Sequence, residues 1–190
     1  MQSRTSSERE PPYTWADFVA LPEDDSRELI DGCLVEVEVP TKLHEHVVAC
    51  LVYAIGAWAR AHGSGHVIAS GYRVRIDKDR GVLPDVQYYT RDAWRAAPND
   101  GLVEGHPDLA VEVVSPTSGA HDRVRKLGYY ATIGTPEYWV VDPQERTLQR
   151  FVLRGAAYVL AAALSDDALF EPESFPGLSI ALRDLWDVDA

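Results

Sequence analysis

Residues 109–114 read Leu109-Ala110-Val111-Glu112-Val113-Val114, an apolar run rich in β-branched side chains with one carboxylate in its middle. Such a run predicts a buried strand. Strand alternation puts Asp108, Ala110, Glu112 and Val114 on one face and Leu109, Val111 and Val113 on the other. A buried carboxylate without a partner is costly, so Glu112 demands one. The segment that follows sets the topology. Ala120 to Ile133 reads as a helix stopped by Gly134 and Pro136, and Glu137–Asp142, EYWVVD, reads as another strand. Strand, helix, strand predicts a crossover with its two strands parallel.

Working outward, Thr14 can cap a short helix over Trp15 to Ala20. Arg27 to Val39 predicts a hairpin turning at Asp31-Gly32. Lys42 to His62 is the longest predicted helix, with Val47, Val48, Leu51, Val52, Ile55, Trp58 and Ala59 as its apolar stripe and Gly63 as its stop. His66–Ala69, Tyr72–Asp77 and Asp85–Thr90 predict strands, with turn residues at Gly71 and at Lys78 to Gly81. A short helix is expected around Trp94. Leu148–Leu153 and Tyr158–Ala163 form a closing hairpin around Gly155-Ala156, and Ile180, Leu182, Leu185 and Trp186 are available to pack back. The expected class is α/β: a central mixed sheet flanked by helices, with an N-terminal and a C-terminal hairpin. One domain over residues 13–190 is expected, preceded by a loose tail over residues 1–12.

The chain of 190 residues carries 30 acidic and 18 basic side chains, a net charge of −12. That balance excludes a general nucleic-acid coat protein, which needs a basic face. No apolar stretch reaches membrane-spanning length and the N-terminus lacks a signal-peptide core, so a cytoplasmic protein with no membrane partner is expected. Cys33 and Cys50 have no metal-ligand spacing and are expected to be buried free thiols. No phosphate loop, dinucleotide fingerprint or nucleophile elbow is present. His44 and His46 do not form HExxH, because Val48 stands where the second histidine belongs.

What remains is a carboxylate pair. Asp85 follows Pro84 at the start of a strand, and Glu112 lies in the next strong one. Asp108 shares the Glu112 face but lies roughly 13 Å along the strand. Two adjacent carboxylates repel unless one is protonated or a cation lies between them. A hard divalent cation suits such a pair. On the following helix Val124, Leu127, Tyr130 and Ala131 form an apolar stripe, with Arg123 inside it and Lys126 at its edge. Two readings stand: a structural Glu–Lys or Glu–Arg ion pair, or a metal site in which lysine offsets phosphoryl charge.

These residues bring a family into view. "ELIDGCLVE" from Glu28, His44 at the head of the long helix, "LPDVQYY", "PDLAVEVVSPTS", "DRVRKLGYY" and "GTPEYWVVDP" resemble the Uma-type restriction endonucleases of the PD-(D/E)xK nuclease superfamily, from about Arg27 to Leu182. The resemblance implies a restriction-endonuclease-like core and a Mg²⁺-dependent endonuclease, with Mn²⁺ as a substitute, acting on DNA through a metal-bound water. It implies Asp85, Glu112 and the Val113 carbonyl as metal ligands and Lys126 as the catalytic lysine. The superfamily's usual lysine position is occupied here by Val114. Glu28, His44 and Tyr130 are further candidates, Tyr130 for packing on the lysine stem. Arg73, Arg75 and Arg123 are candidate substrate contacts, and an enzyme should gather them with Arg125 around the cleft. A homodimer follows by the same resemblance. The competing reading is a non-catalytic member of the fold serving as a partner-binding or regulatory module, which the net charge favours.

Overall fold

The structure, a computed structural model, describes residues 11–37, 39–69, 71–115 and 120–187. Most of the expected tail, residues 1–10, lies outside the described residues. The chain opens with helix α1 (Trp15–Val19), where the Asp17 carboxylate accepts from both the N–H and the hydroxyl of Thr14. Strands β1 (Glu28–Ile30) and β2 (Cys33–Val35) form the hairpin, with Asp31 at φ 50° and Gly32 at φ 75°. Two successive positive φ values make the tight turn that matches strand twist. Helix α2 (Lys42–His62) has the predicted bounds; the Thr41 side chain caps it and Gly63, at φ 56°, ends it.

Strands β3 (Gly65–Ala69), β4 (Val74–Arg75), β5 (Gly81–Val82) and β6 (Val86–Thr90) follow, then helix α3 (Arg91–Ala96). The crossover comes next: β7 (Leu109–Val113), α4 (Ala120–Ile133) and β8 (Glu137–Asp142), with β7 and β8 parallel as predicted. Strands β9 (Thr147–Arg154) and β10 (Ala157–Ser165) make the closing hairpin. Strands β11 (Leu169–Phe170) and β12 (Ile180–Ala181) and helix α5 (Arg183–Trp186) complete the described chain.

The central sheet has six strands in the order β10-β9-β8-β7-β6-β3, and only the β7–β8 pairing is parallel. A smaller sheet runs β2-β1-β5-β4. Strand β7 sits well inside the large sheet and is packed on both faces. Leu109, Val111 and Val113 meet Val47, Val48, Leu51 and Ile55 of α2 and the returning Leu178, Ile180, Leu182 and Trp186. Ala110 and Val114 meet Tyr130 of α4, Tyr138 of β8, and Ile30, Val74 and Val82 of the smaller sheet. Each buried aliphatic side chain contributes ~1.5–3 kcal/mol. The backbone that carries Glu112 is therefore held from both sides.

Three sequence expectations change. Tyr72–Asp77 pairs only at Val74–Arg75, and Gly81, expected in a turn, begins β5. Both cysteines are free, but Cys33 is exposed and Cys50 half-buried rather than buried: Cys33 falls on the edge strand β2, which has no partner on its outer side in the smaller sheet. Among the described residues no helix is long and apolar enough to cross a membrane.

A second carboxylate is buried in the sheet. Arg150 donates to both oxygens of Glu137, at 3.0 and 2.6 Å, while Trp139 Nε1 and the Ser174 hydroxyl also donate to that carboxylate. Removing one partner of such a pair costs ~3–5 kcal/mol. Arg150→Ala should lose stability on that scale in urea denaturation. Glu137→Leu combined with Arg150→Met should lose much less, and equal losses would contradict a fully paired network.

Candidate active site

The β6–β7 register places the first two candidates together. Val86 lies opposite Val111 and Gln87 opposite Ala110, so one further step sets Asp85 opposite Glu112. Directly opposed residues have neighbouring side chains. Asp85 is clamped: its Oδ2 accepts the Val113 N–H at 2.7 Å, and its Oδ1 lies 3.2 Å from His44 Nε2. The cap of α2 sets His44 in turn, because Thr41 Oγ1 accepts the His44 N–H at 3.1 Å. His44 is buried, its Nδ1 has no hydrogen-bond partner among the described residues, and its Nε2 is aimed at Asp85.

Glu112 meets the helix of its own crossover. Lys126 Nζ donates to Glu112 Oε2 at 2.9 Å, and the Tyr130 hydroxyl donates to Oε1 at 2.7 Å. Lys126 and Tyr130 are four residues apart and so share one face of α4. Lys126 Nζ also lies 3.1 Å from Glu28 Oε1, and the Leu83 N–H donates to that same oxygen at 3.0 Å. The small sheet thus closes the site opposite β7. Tyr130 does more than pack on the lysine stem. Its i+4 spacing from Lys126 was legible, but its hydroxyl's bond to Glu112 was not. The backbone N–H groups of Leu83 and Val113 had no sequence signal at all.

Two carboxylates, Glu112 and Glu28, meet the ammonium of Lys126, while Asp85 lies opposite Glu112 in the β6–β7 register and meets His44. Burial pushes the Glu112 carboxyl up to about 8; Asp85 and Glu28 add to the rise, while Lys126 and Tyr130 oppose it. Burial works against a charged His44, but the hydrogen bond and charge of Asp85, with Glu45 and Glu112, outweigh it and raise its pKa. Burial, then Glu112, lifts the Tyr130 hydroxyl well above its usual range, which keeps it a donor.

The other candidates are placed differently. Arg73 is 6% exposed, lies over the Phe18 ring at 5.3 Å and donates to the Pro22 carbonyl at 2.9 Å. This corrects its expected role: Arg73 ties down the N-terminal layer instead of facing a substrate. Arg75 is half-buried and donates to the Asp77 carbonyl of its own loop. Arg125 is exposed on α4, and the Arg123 side chain lies outside the described residues. Asp108 accepts from the Thr90 N–H at 2.7 Å, away from Glu112. His46 contacts Cys50 Sγ at 3.5 Å.

A divalent cation suits the donors that are present. Among the described residues no three or more His, Cys, Asp or Glu side chains are grouped to hold a metal. Mg²⁺ does not need them, since it is commonly held by one or two carboxylates with waters and substrate phosphates. Asp85 and Glu112 offer two carboxylates, each with lone pairs beyond those already engaged.

Comparisons with known proteins bear on the family and the fold. The family Uma2, described as "Putative restriction endonuclease", matches residues 15–183. A solved structure described as "a putative nuclease belonging to DUF820 from Anabaena variabilis ATCC 29413" superposes with a TM-score of 0.74 at 21% identity, covering 92% of this chain and 98% of that one. At that identity the likeness shows a shared fold. A search of the curated proteins finds no match.

Proposed function

The chain belongs to the Uma2 family, and from that membership we propose that it is a divalent-cation-dependent endonuclease that hydrolyses phosphodiester bonds in DNA. The observation that supports this reading is the register-paired Asp85 and Glu112, with Lys126 bonded to Glu112.

Asp85, Glu112 and the Val113 carbonyl would hold Mg²⁺ or Mn²⁺. A cation there supplies Lewis acidity that favours attack of water on the scissile phosphorus. The chain's own groups do the rest. His44 and the Val113 N–H fix the Asp85 carboxylate, and Tyr130 fixes Glu112. Lys126 sets an ammonium where charge develops on the phosphoryl oxygens. The net charge of −12 leaves long-range attraction to DNA weak, so DNA affinity is expected to rest on contacts close to the site and to fall with salt. Cutting both strands of a duplex calls for two sites, and a homodimer would supply them.

Calorimetry with Mg²⁺ at low salt, followed by plasmid cleavage, tests the reading. Wild type should bind the ion and nick or linearise plasmid DNA only when it is present. Asp85→Asn should retain the fold and lose both. Absence of Mg²⁺ and Mn²⁺ binding in wild type would favour the partner-binding or regulatory module instead, with Glu112 and Lys126 as a structural ion pair.

A further inference from the structure

Lys126 stands between two carboxylates of different origin. Glu112, 2.9 Å away, comes from the central sheet, and Glu28, 3.1 Å away, comes from β1 of the smaller sheet. Glu28 is 5% exposed, and the Leu83 N–H fixes the same oxygen that meets the ammonium. Leu83 is two residues ahead of Asp85. One short segment therefore anchors Glu28 through its backbone and carries Asp85.

We propose that Glu28 is a positioning residue that retains Lys126 at the site when Glu112 engages a divalent cation. The inference rests on the cation reading above. A cation on Glu112 and the Lys126 ammonium are like charges sharing one carboxylate, and they repel. The lysine stem is long and flexible, so removing the Glu28 charge should leave the ammonium less firmly held near the phosphate it serves. Glu28 supplies that anchor from the side away from β7, already immobilised by a backbone donor. Its engaged oxygen accepts from both the ammonium and the Leu83 N–H, whereas Glu112 accepts from the ammonium and Tyr130 on separate oxygens.

Three readouts test this with Mn²⁺ as the probe: calorimetric Mn²⁺ binding, acylation of the Lys126 amine followed by peptide mass spectrometry, and single-turnover plasmid cleavage. Glu28→Gln keeps the acceptor for Leu83 and removes the charge. It should bind Mn²⁺ nearly as tightly as wild type while cleaving ~10–100-fold more slowly. With Mn²⁺ bound, its Lys126 should be acylated ~10-fold faster or more than in loaded wild type. In a Lys126→Met background the same substitution should slow cleavage no further, because its effect passes through the lysine. Glu28→Asp, which keeps the charge, should recover part of the rate, and it carries the same comparison if Glu28→Gln does not fold. Loss of Mn²⁺ binding in Glu28→Gln would make Glu28 a ligand and overturn the inference. Unchanged Lys126 reactivity, or additive slowing in the Lys126→Met background, would also overturn it. Failure of wild type to bind Mn²⁺ would overturn the cation reading and this inference with it, an outcome distinct from the others.

Discussion

Glu112→Gln is expected to abolish divalent-cation binding and, in the same molecule, to raise the stability of the cation-free protein at pH 8. The folded carboxyl is raised from 4.5 to about 8, chiefly by burial. A carboxyl raised in the fold takes up a proton on folding. Its contribution to stability is complete below pH ~4.5 and is lost as pH rises through about 8. The glutamine has no such charge to bury. It can still accept from Tyr130, and Lys126 keeps Glu28. Thermal melts with a chelator present should therefore diverge in favour of the variant as pH rises from 5 towards 9. Added Mg²⁺ should raise the wild-type Tm and leave the variant unmoved. A variant less stable than wild type at pH 8 would mean that the bonds from Lys126 and Tyr130 outweigh burial, and that Glu112 is a structural residue first. The expected result is the familiar exchange in which a functional site lowers the stability of its scaffold.

Lys126→Met carries the second large effect, with the opposite sign. It leaves Glu28 and Glu112 buried with their shared ammonium gone. Breaking a buried pair in this way costs ~3–5 kcal/mol, and here two carboxylates lose their partner together. Urea denaturation without cation should show that loss, and Mg²⁺ should recover part of it by supplying the positive charge. Cleavage should slow by ~10²–10³-fold, the scale for a donor aimed at developing oxyanion charge. Cation affinity should hold or improve, because a like charge has been removed from beside the ion. A parallel collapse of Mg²⁺ affinity and rate would assign Lys126 to ion binding instead of to the phosphate.

The elements that the sequence predicted well are those with a long repeat of pattern. Helices α2 and α4 and strand β8 match their expected bounds because each spans enough residues for apolar periodicity, and each ends at a glycine, a proline or a polar turn. The alternation of residues 108–114 divided the two cores correctly, Leu109, Val111 and Val113 on one side and Ala110 and Val114 on the other. Strands β4 and β5 escaped because two residues carry no periodicity. Arg73 was misjudged for a related reason: a charged residue beside a short strand gives no sign that an aromatic ring and a carbonyl from residues 18 and 22 will cover it. At the candidate site the residue types were legible and the pairings were not. The sequence raised Asp85, a cation, and a Lys126 or arginine ion pair for Glu112. The folded chain pairs Lys126 with Glu112, adds the Tyr130 hydroxyl, and brings in Glu28 through a contact spanning nearly a hundred residues of chain.

Strand β10 gives the net charge a further meaning. It forms the outer edge of the central sheet, runs nine residues from Ala157 to Ser165 without a single charged side chain, and leaves Val159 and Leu160 about half exposed. Open edges of that kind invite another chain to add on, end after end, into insoluble fibres. The register shift between Leu160 and Ala162 roughens the edge locally. A further guard is colloidal: twelve excess negative charges oppose indiscriminate association at neutral pH. That guard weakens in strong salt and disappears near the isoelectric point of 4.8. The acidity that weakens long-range attraction to DNA is thus also expected to oppose that edge-to-edge growth.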